Sequence, residues 1–183
     1  MPASLAPGTL GFRAHAGWAA VICLAGPAQS PSVIERKRLL LTAKPLPFEP
    51  YHRAKGHGLG EAEAIVRAAA DEARNLATDG IGEIISETHS NGLAIVVGVV
   101  LGGGRPDFTL HRALSSHAAM HNGEGWLIRE AVMNASRDLG LRVVGTLERD
   151  LYAQASLAIN VPRNCAAGTC RRPRRVAWPA LDG

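Results

Sequence analysis

Residues 93–101, LAIVVGVVL, constrain the fold of this chain more than any other stretch. The run is apolar and rich in β-branched residues, which prefer extended backbone. Asn91-Gly92 precedes it as a turn, and Gly102-Gly103-Gly104 breaks the chain after it. It is too short to span a bilayer and too rich in valine for a long core helix. The run predicts a central strand covered on both faces. The cover has to come from helices, so the class is α/β.

The flanking sequence supplies those helices. Ala62, Ile65, Val66, Ala69, Ala73, Leu76 and Ala77 recur at helical spacing, which predicts a helix over 61–79 that continues to about 88. Gly80 and Gly82 weaken its middle or end it. A second helix is predicted over 109–139, stopped by Gly140, with Asp107 or Thr109 as its cap. WAAVICLA (18–25) and VIERKRLLLT (33–42) read as strands of an antiparallel hairpin, joined by the turn from Gly26-Pro27 to Pro31. Residues 45–60, with Pro45, Pro47 and Pro50, read as a surface loop. LRVVGTL (141–147) reads as a further strand and 150–159 as a last helix. The order implies a mixed sheet with packed helices and a right-handed crossover. One α/β domain is expected over 17–160. Residues 1–16, rich in Gly, Ala and Pro, are expected to form a loose leader, and 161–183 a basic, irregular tail.

Composition agrees with one folded domain. Of 183 residues, 46% are hydrophobic and 20% charged, which are globular values. Aromatics are only 4%, so alanine and aliphatics must fill the core and helices must pack closely. The net charge of +4 lies in the tail, where Arg163, Arg171, Arg172, Arg174 and Arg175 face only Asp182. The domain itself is then nearly neutral, so nucleic acid is expected to bind only through the tail. Cys23 lies in a core strand. Cys165 and Cys170 lack the further ligands of a structural zinc site, and the usage fits a reducing, cytoplasmic setting. The apolar run 14–25 is too short for a membrane span and lacks the basic start of an export signal. A homo-oligomer stays open.

Chemistry concentrates in residues 109–140. On a helix started at Leu110, the residues Ala113, Leu114, Ile128, Ala131, Val132, Ala135 and Leu139 share one stripe with it. His117, His121 and Glu124 fall in the middle of that stripe, while Arg112, Arg129 and Glu130 fall outside it. Three ionisable groups on a core-facing stripe must be paired, coordinated or placed at a cleft. One reading makes His117, His121 and Glu124 catalytic acid–base groups, or ligands of a divalent metal ion. The other makes them satisfied residues where the helix crosses the sheet edge. The spacing is not the His-Glu-x-x-His zinc motif. Asp107 is the further candidate ligand, followed by His111, Glu35 and Glu148. Gly123 and Gly125 flank Glu124, and Gly125 marks a place where another segment can approach. The loop of Gly103, Gly104 and Arg105 is the candidate for an anionic cofactor, although neither phosphate-loop nor dinucleotide motif is present. Ser115-Ser116-His117 is not a hydrolase elbow, because neighbouring helical residues do not face each other.

VIERKRLLL (33–41), LPFEPYHRA (46–54), VVLGGGRP (99–106) and SHAAMHNGEGWLIREA (116–131) carry a resemblance. With the order of elements over 18–158, they resemble an uncharacterised group of bacterial proteins with a ribonuclease H-like fold. The resemblance implies a mixed sheet opened by an antiparallel hairpin. It singles out His117, His121, Glu124, Gly125 and Arg129. It does not carry nuclease activity, because the strand taken as first, GWAAVICLA, holds no acid to seat paired metal ions. The leading reading is a ribonuclease H-like scaffold of open activity with a polar site on the second helix. The alternatives are a divalent-metal-dependent phosphoester hydrolase, a binding module using the tail, and a nucleotide domain using the 102–105 loop.

Overall fold

The computed structural model describes residues 5–43, 48–102 and 109–154. Five strands form one mixed sheet in the order β3-β2-β1-β4-β5. They are β1 (Ala6–His15), β2 (Trp18–Ala25), β3 (Ser32–Leu40), β4 (Leu93–Gly102) and β5 (Arg142–Leu147). The first three form an antiparallel meander. β4 joins β1 in parallel on its other side, and β5 joins β4 in parallel. This is the ribonuclease H-like arrangement that the resemblance implied, with its opening hairpin and parallel additions.

The expected leader is corrected by β1. Residues 6–15 form the middle strand of the sheet, not a loose end. Their inward residues alternate as Gly8, Leu10 and Phe12, and the last two are fully buried. Gly8 and Gly11 hid that alternation in the sequence, and the packing requires both. A Cβ at Gly8 would sit 2.9 Å from Ile95 Cδ1, and one at Gly11 would sit 2.9 Å from Ile22 Cγ2. Branched side chains of the neighbouring strands occupy that space. The domain therefore begins before residue 17.

The valine-rich run is corrected in position: β4 lies beside the middle strand. Among the described residues it buries Leu93, Ile95, Gly98, Val100 and Gly102 on the face toward the helices. A bulge opposite Gly8 and Thr9 shifts the alternation at Val96. The cover on the buried face comes from α2 (Leu59–Ser90) and α4 (His117–Asp138). α2 is one unbroken helix of 32 residues. Gly80 does not end it. A Cβ there would come within 2.2 Å of Leu39 Cδ1, so the glycine lets α2 lie close on β3. The inner residues of α2 are mostly alanines, Ala62, Ala69, Ala73 and Ala77, which shorten the helix–sheet distance as the low aromatic content required.

The predicted 109–139 helix is two helices. α3 (Leu110–Ala113) is capped by Thr109, and α4 restarts at His117 with Ser116 as its cap. The Ser116 hydroxyl accepts from the Ala119 N–H at 3.2 Å. The loop expected over 45–60 also holds a short helix, α1 (Pro50–Ala54), begun by a buried proline at its first position. After β5 a single 3-10 turn, Glu148–Asp150, leads into helical residues 151–154. The rest of the predicted last helix lies outside the described residues, as does the tail 161–183 with Cys165 and Cys170. Cys23 is buried on the core face of β2, as expected. Among the described residues, no helix is long and apolar enough to cross a membrane.

Candidate metal centre

β1, β3, β4 and β5 all run in one direction, so their carboxyl ends share one edge of the sheet. α4 runs the opposite way. Ser136 lies over Gly98, and Arg129 lies over Gly102 at the end of β4. The twelve residues from Arg129 back to His117 therefore extend roughly 18 Å beyond that point, at about 1.5 Å per residue. The sheet cannot cover this overhang. α1, which follows β3 at the same edge, covers it instead.

Gly123 makes that contact possible. A Cβ on Gly123 would lie 2.8 Å from Tyr51 Cε2 and 2.9 Å from Cζ. The Tyr51 ring fills the space of the missing side chain and brings the next residue, His52, onto the inner stripe of α4. Burial raises the Tyr51 pKa above its ordinary value, and the Glu130 and Glu124 charges add to the shift. The approach expected at Gly125 occurs at Gly123; nothing would meet a Cβ at Gly125 within 4 Å.

Four side chains then close into a ring. Glu124 is buried, with its side chain only 2% exposed. Its Oε1 accepts from His52 Nδ1 at 2.9 Å, and its Oε2 pairs with His121 Nδ1 at 3.2 Å. The far nitrogens of those two rings both meet His117. His52 Nε2 lies 2.9 Å from His117 Nδ1, and His121 Nε2 lies 3.0 Å from His117 Nε2. The ring centroids of the three histidines are 4.3 to 4.9 Å apart. His52 is half-buried, while His117 and His121 are exposed, so the ring is sealed on the Glu124 side and open on the other.

Proton counting limits how the four groups can share hydrogens. A carboxylate only accepts, so the His52 and His121 Nδ1 atoms that face Glu124 carry hydrogens. In the neutral rings, both Nε2 atoms then hold lone pairs. Neutral His117 has one N–H for two contacts. One of the two nitrogen pairs near 3 Å therefore sets lone pair against lone pair. One further proton shared in the ring, or a metal ion bound by the imidazoles, would resolve that contact.

One ligand nitrogen from each of His52, His117 and His121 lies within 4.8 Å of the others. Two nitrogens held tetrahedrally at zinc distances stand about 3.3 Å apart, and because His117 meets His52 through Nδ1 and His121 through Nε2, its ring would turn before one nitrogen of each histidine faced a single ion. Glu124 orients two imidazoles through their Nδ1–H groups, the usual support of metal-bound histidine. Among the described residues, the carboxylates that would hold a pair of ions are not gathered at this ring. β1, the strand that is in fact first, holds no acid, and both Glu124 oxygens are engaged.

The other predicted residues divide clearly. Glu35 pairs with Lys37, and Glu148 pairs with Arg13 across the sheet, so neither reaches the ring. His111 lies on α3, outside the group of converging ligands. Asp107, Gly103, Gly104 and Arg105 lie outside the described residues. Arg129, placed outside the stripe by the single-helix projection, is buried. Its side chain lies in a trough made by Gly102 and Gly145, with Cδ 3.0 Å from the Cβ position of Gly102. Its Nη2 donates to the Val100 and Thr146 carbonyls at 3.5 and 3.4 Å. Burial lowers its pKa from the usual value. The projection failed there because α4 touches the sheet, α1 and α2 together and buries more than one stripe. His52 was missed altogether. Its signal was local: Pro50 starts a helix turn that carries Tyr51 and His52.

No family model matches the chain, and no curated protein matches its sequence. Among solved structures, the chain is similar to Thermus thermophilus RuvC in complex with a Holliday junction substrate. The likeness has 8% identity and a TM-score of 0.47 over 91% of this chain and 83% of that one. A second structure of Thermus thermophilus RuvC matches at 8% identity and a TM-score of 0.43, over 91% of this chain and 85% of that one. Likenesses at this level say nothing of activity. The fold is defined by its own strand order and directions.

Proposed function

We propose that this protein is a single-ion, metal-dependent hydrolase whose centre is His52, His117 and His121. The observation that carries the proposal is the double hold of Glu124. It fixes the Nδ1 sides of His52 and His121, so both Nε2 atoms turn toward His117 on the open side. Three imidazoles suit zinc and other late transition ions rather than magnesium, which prefers oxygen. Such an ion, held by three protein ligands with a position left open, supplies Lewis acidity and activates water near neutral pH.

The protein's own residues do the remaining work in this proposal. Glu124 sets the tautomer and plane of two ligands. Tyr51, seated on Gly123, holds the helix turn that carries His52. His117 and His121 form the exposed rim where a substrate arrives. A phosphoester is the substrate class to test first, because a bound cation offsets phosphate charge.

The test uses full-length protein purified without a metal-affinity tag. Elemental analysis after dialysis against micromolar zinc should find about one ion per chain. The ion should be lost in His52→Ala, the ligand that the two-histidine spacing does not disclose. Zinc-dependent turnover of an aryl phosphoester should disappear with chelation and return with zinc. Retention of zinc by His52→Ala at the parent level would sink the assignment of the centre. A loaded protein inert toward phosphoesters and carboxylic esters would sink the hydrolase reading.

A further inference from the structure

β3 is one margin of the sheet, and among the described residues it pairs only with β2. No described strand meets the backbone N–H and C=O groups on its other side. The strand is nine residues long and has neither proline nor glycine to blunt it. Its apolar residues stand in the open: Val33 is 45% exposed, Ile34 46% and Leu40 57%. β5, the opposite margin, is shorter at six residues and holds Gly145. A long, exposed edge such as β3 is a template for another extended chain.

The charges along β3 sort by face. Glu35 and Lys37 lie opposite the core residues Cys23 and Val21. They pair with each other at 3.1 Å, and Lys37 also pairs with Glu87 of α2. Arg36 and Arg38 lie opposite Ile22 and Ala20, so they belong to the face away from α2. Both are exposed, and among the described residues no carboxylate pairs with either. The Arg38 guanidinium lies over the Trp18 ring, 4.1 Å from its centroid. His15 stacks on the same indole, with centroids 4.0 Å apart. A guanidinium held flat on a ring keeps its in-plane N–H groups available to a carboxylate.

This pattern decides which partner fits. When β3 pairs antiparallel with a second copy, the residue at the two-fold axis faces itself. Glu35, Arg36, Lys37 and Arg38 occupy the middle of the strand, so each register centred on one of them sets like charge against like. Nucleic acid neutralises the arginines but leaves Val33, Ile34, Leu40 and the edge's backbone groups unmet. We infer that the β3 edge binds an extended acidic peptide segment of another protein as an added strand. Its carboxylates fall at alternate positions onto Arg36 and Arg38, and its apolar residues flank them at Leu40 and Val33.

The test uses the full chain and a fluorescein-labelled peptide, Thr-Val-Thr-Asp-Thr-Asp-Thr-Val-Thr, read by fluorescence anisotropy. Changing both aspartates to lysine should weaken binding roughly tenfold, and so should Arg36→Glu with Arg38→Glu in the protein. The doubly substituted protein should in turn prefer the lysine peptide, which also shows that it is folded. Methylating every second backbone nitrogen of the peptide should abolish binding in one of the two frames, because an added strand bonds through one side only. Binding that survives methylation in both frames would overturn strand addition. Binding indifferent to the charge exchanges, or no binding at the highest soluble peptide concentration, would overturn the inference as a whole. Displacement of the peptide by oligothymidylate at lower concentration than by unlabelled peptide would assign the arginines to nucleic acid. A dimer in sedimentation that Arg36→Glu strengthens or dissolves would assign the edge to a second copy. Either result would also overturn it.

Discussion

The two halves of α4 obey one helical period under opposite rules. From Ile128 to Ala135 the inner face is Ile128, Ala131, Val132 and Ala135, all buried on the sheet and α2. From His117 to Glu124 the same face turns polar, with His117, His121 and Glu124 at the positions where core residues would continue. The difference lies in what each half rests on. The later half covers strands whose backbone groups are already paired. The earlier half extends past the sheet and meets α1 and solvent. A helix that outruns its sheet can place ionisable groups inward at tolerable cost, because they can pair with one another and remain open on one side.

Mutations can separate the two halves, and the largest effect is expected in the later one. Ile128→Ala should lower stability by about 2–5 kcal/mol through the cavity it leaves. Zinc per folded chain should stay unchanged. Chemical denaturation with parallel elemental analysis checks both, and loss of zinc binding in the folded variant would show that the halves are not separable. Glu124→Gln reverses the pattern. The amide has one accepting atom where the carboxylate has two, so one imidazole loses its hold. Zinc affinity should fall about 10–100-fold, or roughly 1.4–2.7 kcal/mol, as judged by competition with a chromogenic chelator.

The two glycines beside Glu124 set up a finer contrast within the earlier half. Gly123→Ala drives a methyl into Tyr51 and should cost about 1–3 kcal/mol of stability. It should also weaken zinc binding, because α1 moves and takes His52 with it. Gly125→Ala meets nothing and should stabilise the chain by up to about 1 kcal/mol, with zinc binding unchanged. Thermal melts of the two variants side by side decide between them, and equal shifts would show that the Tyr51 contact does not position α1.

Much of the architecture was legible because strands with β-branched runs and helices with alanine stripes declare their period locally. The hairpin of 18–25 and 33–42, the run at 93–101 and the strand at 141–147 all form near their predicted bounds. β1 was illegible because its glycines yield space to Ile95 and Ile22, residues of other strands. The clustering of His117, His121 and Glu124 followed from spacing alone. Arg129 did not, because an angular projection assumes one helix and one buried stripe. The break at 114–116 and the contacts of α4 with the sheet, α1 and α2 defeat both assumptions.

Residue order alone was enough to dictate an α/β chain built around a valine-rich strand, and a helix that gathers two histidines and a glutamate on one face. Packing in three dimensions decided that this strand stands beside the middle of the sheet, with α2 and α4 on one face. It also decided that the helix overhangs the sheet's edge and that His52, sixty-five residues before His117, completes the ring. The reason is physical. Local spacing sets which side chains share a face of one element, whereas only packing between elements sets what that face meets.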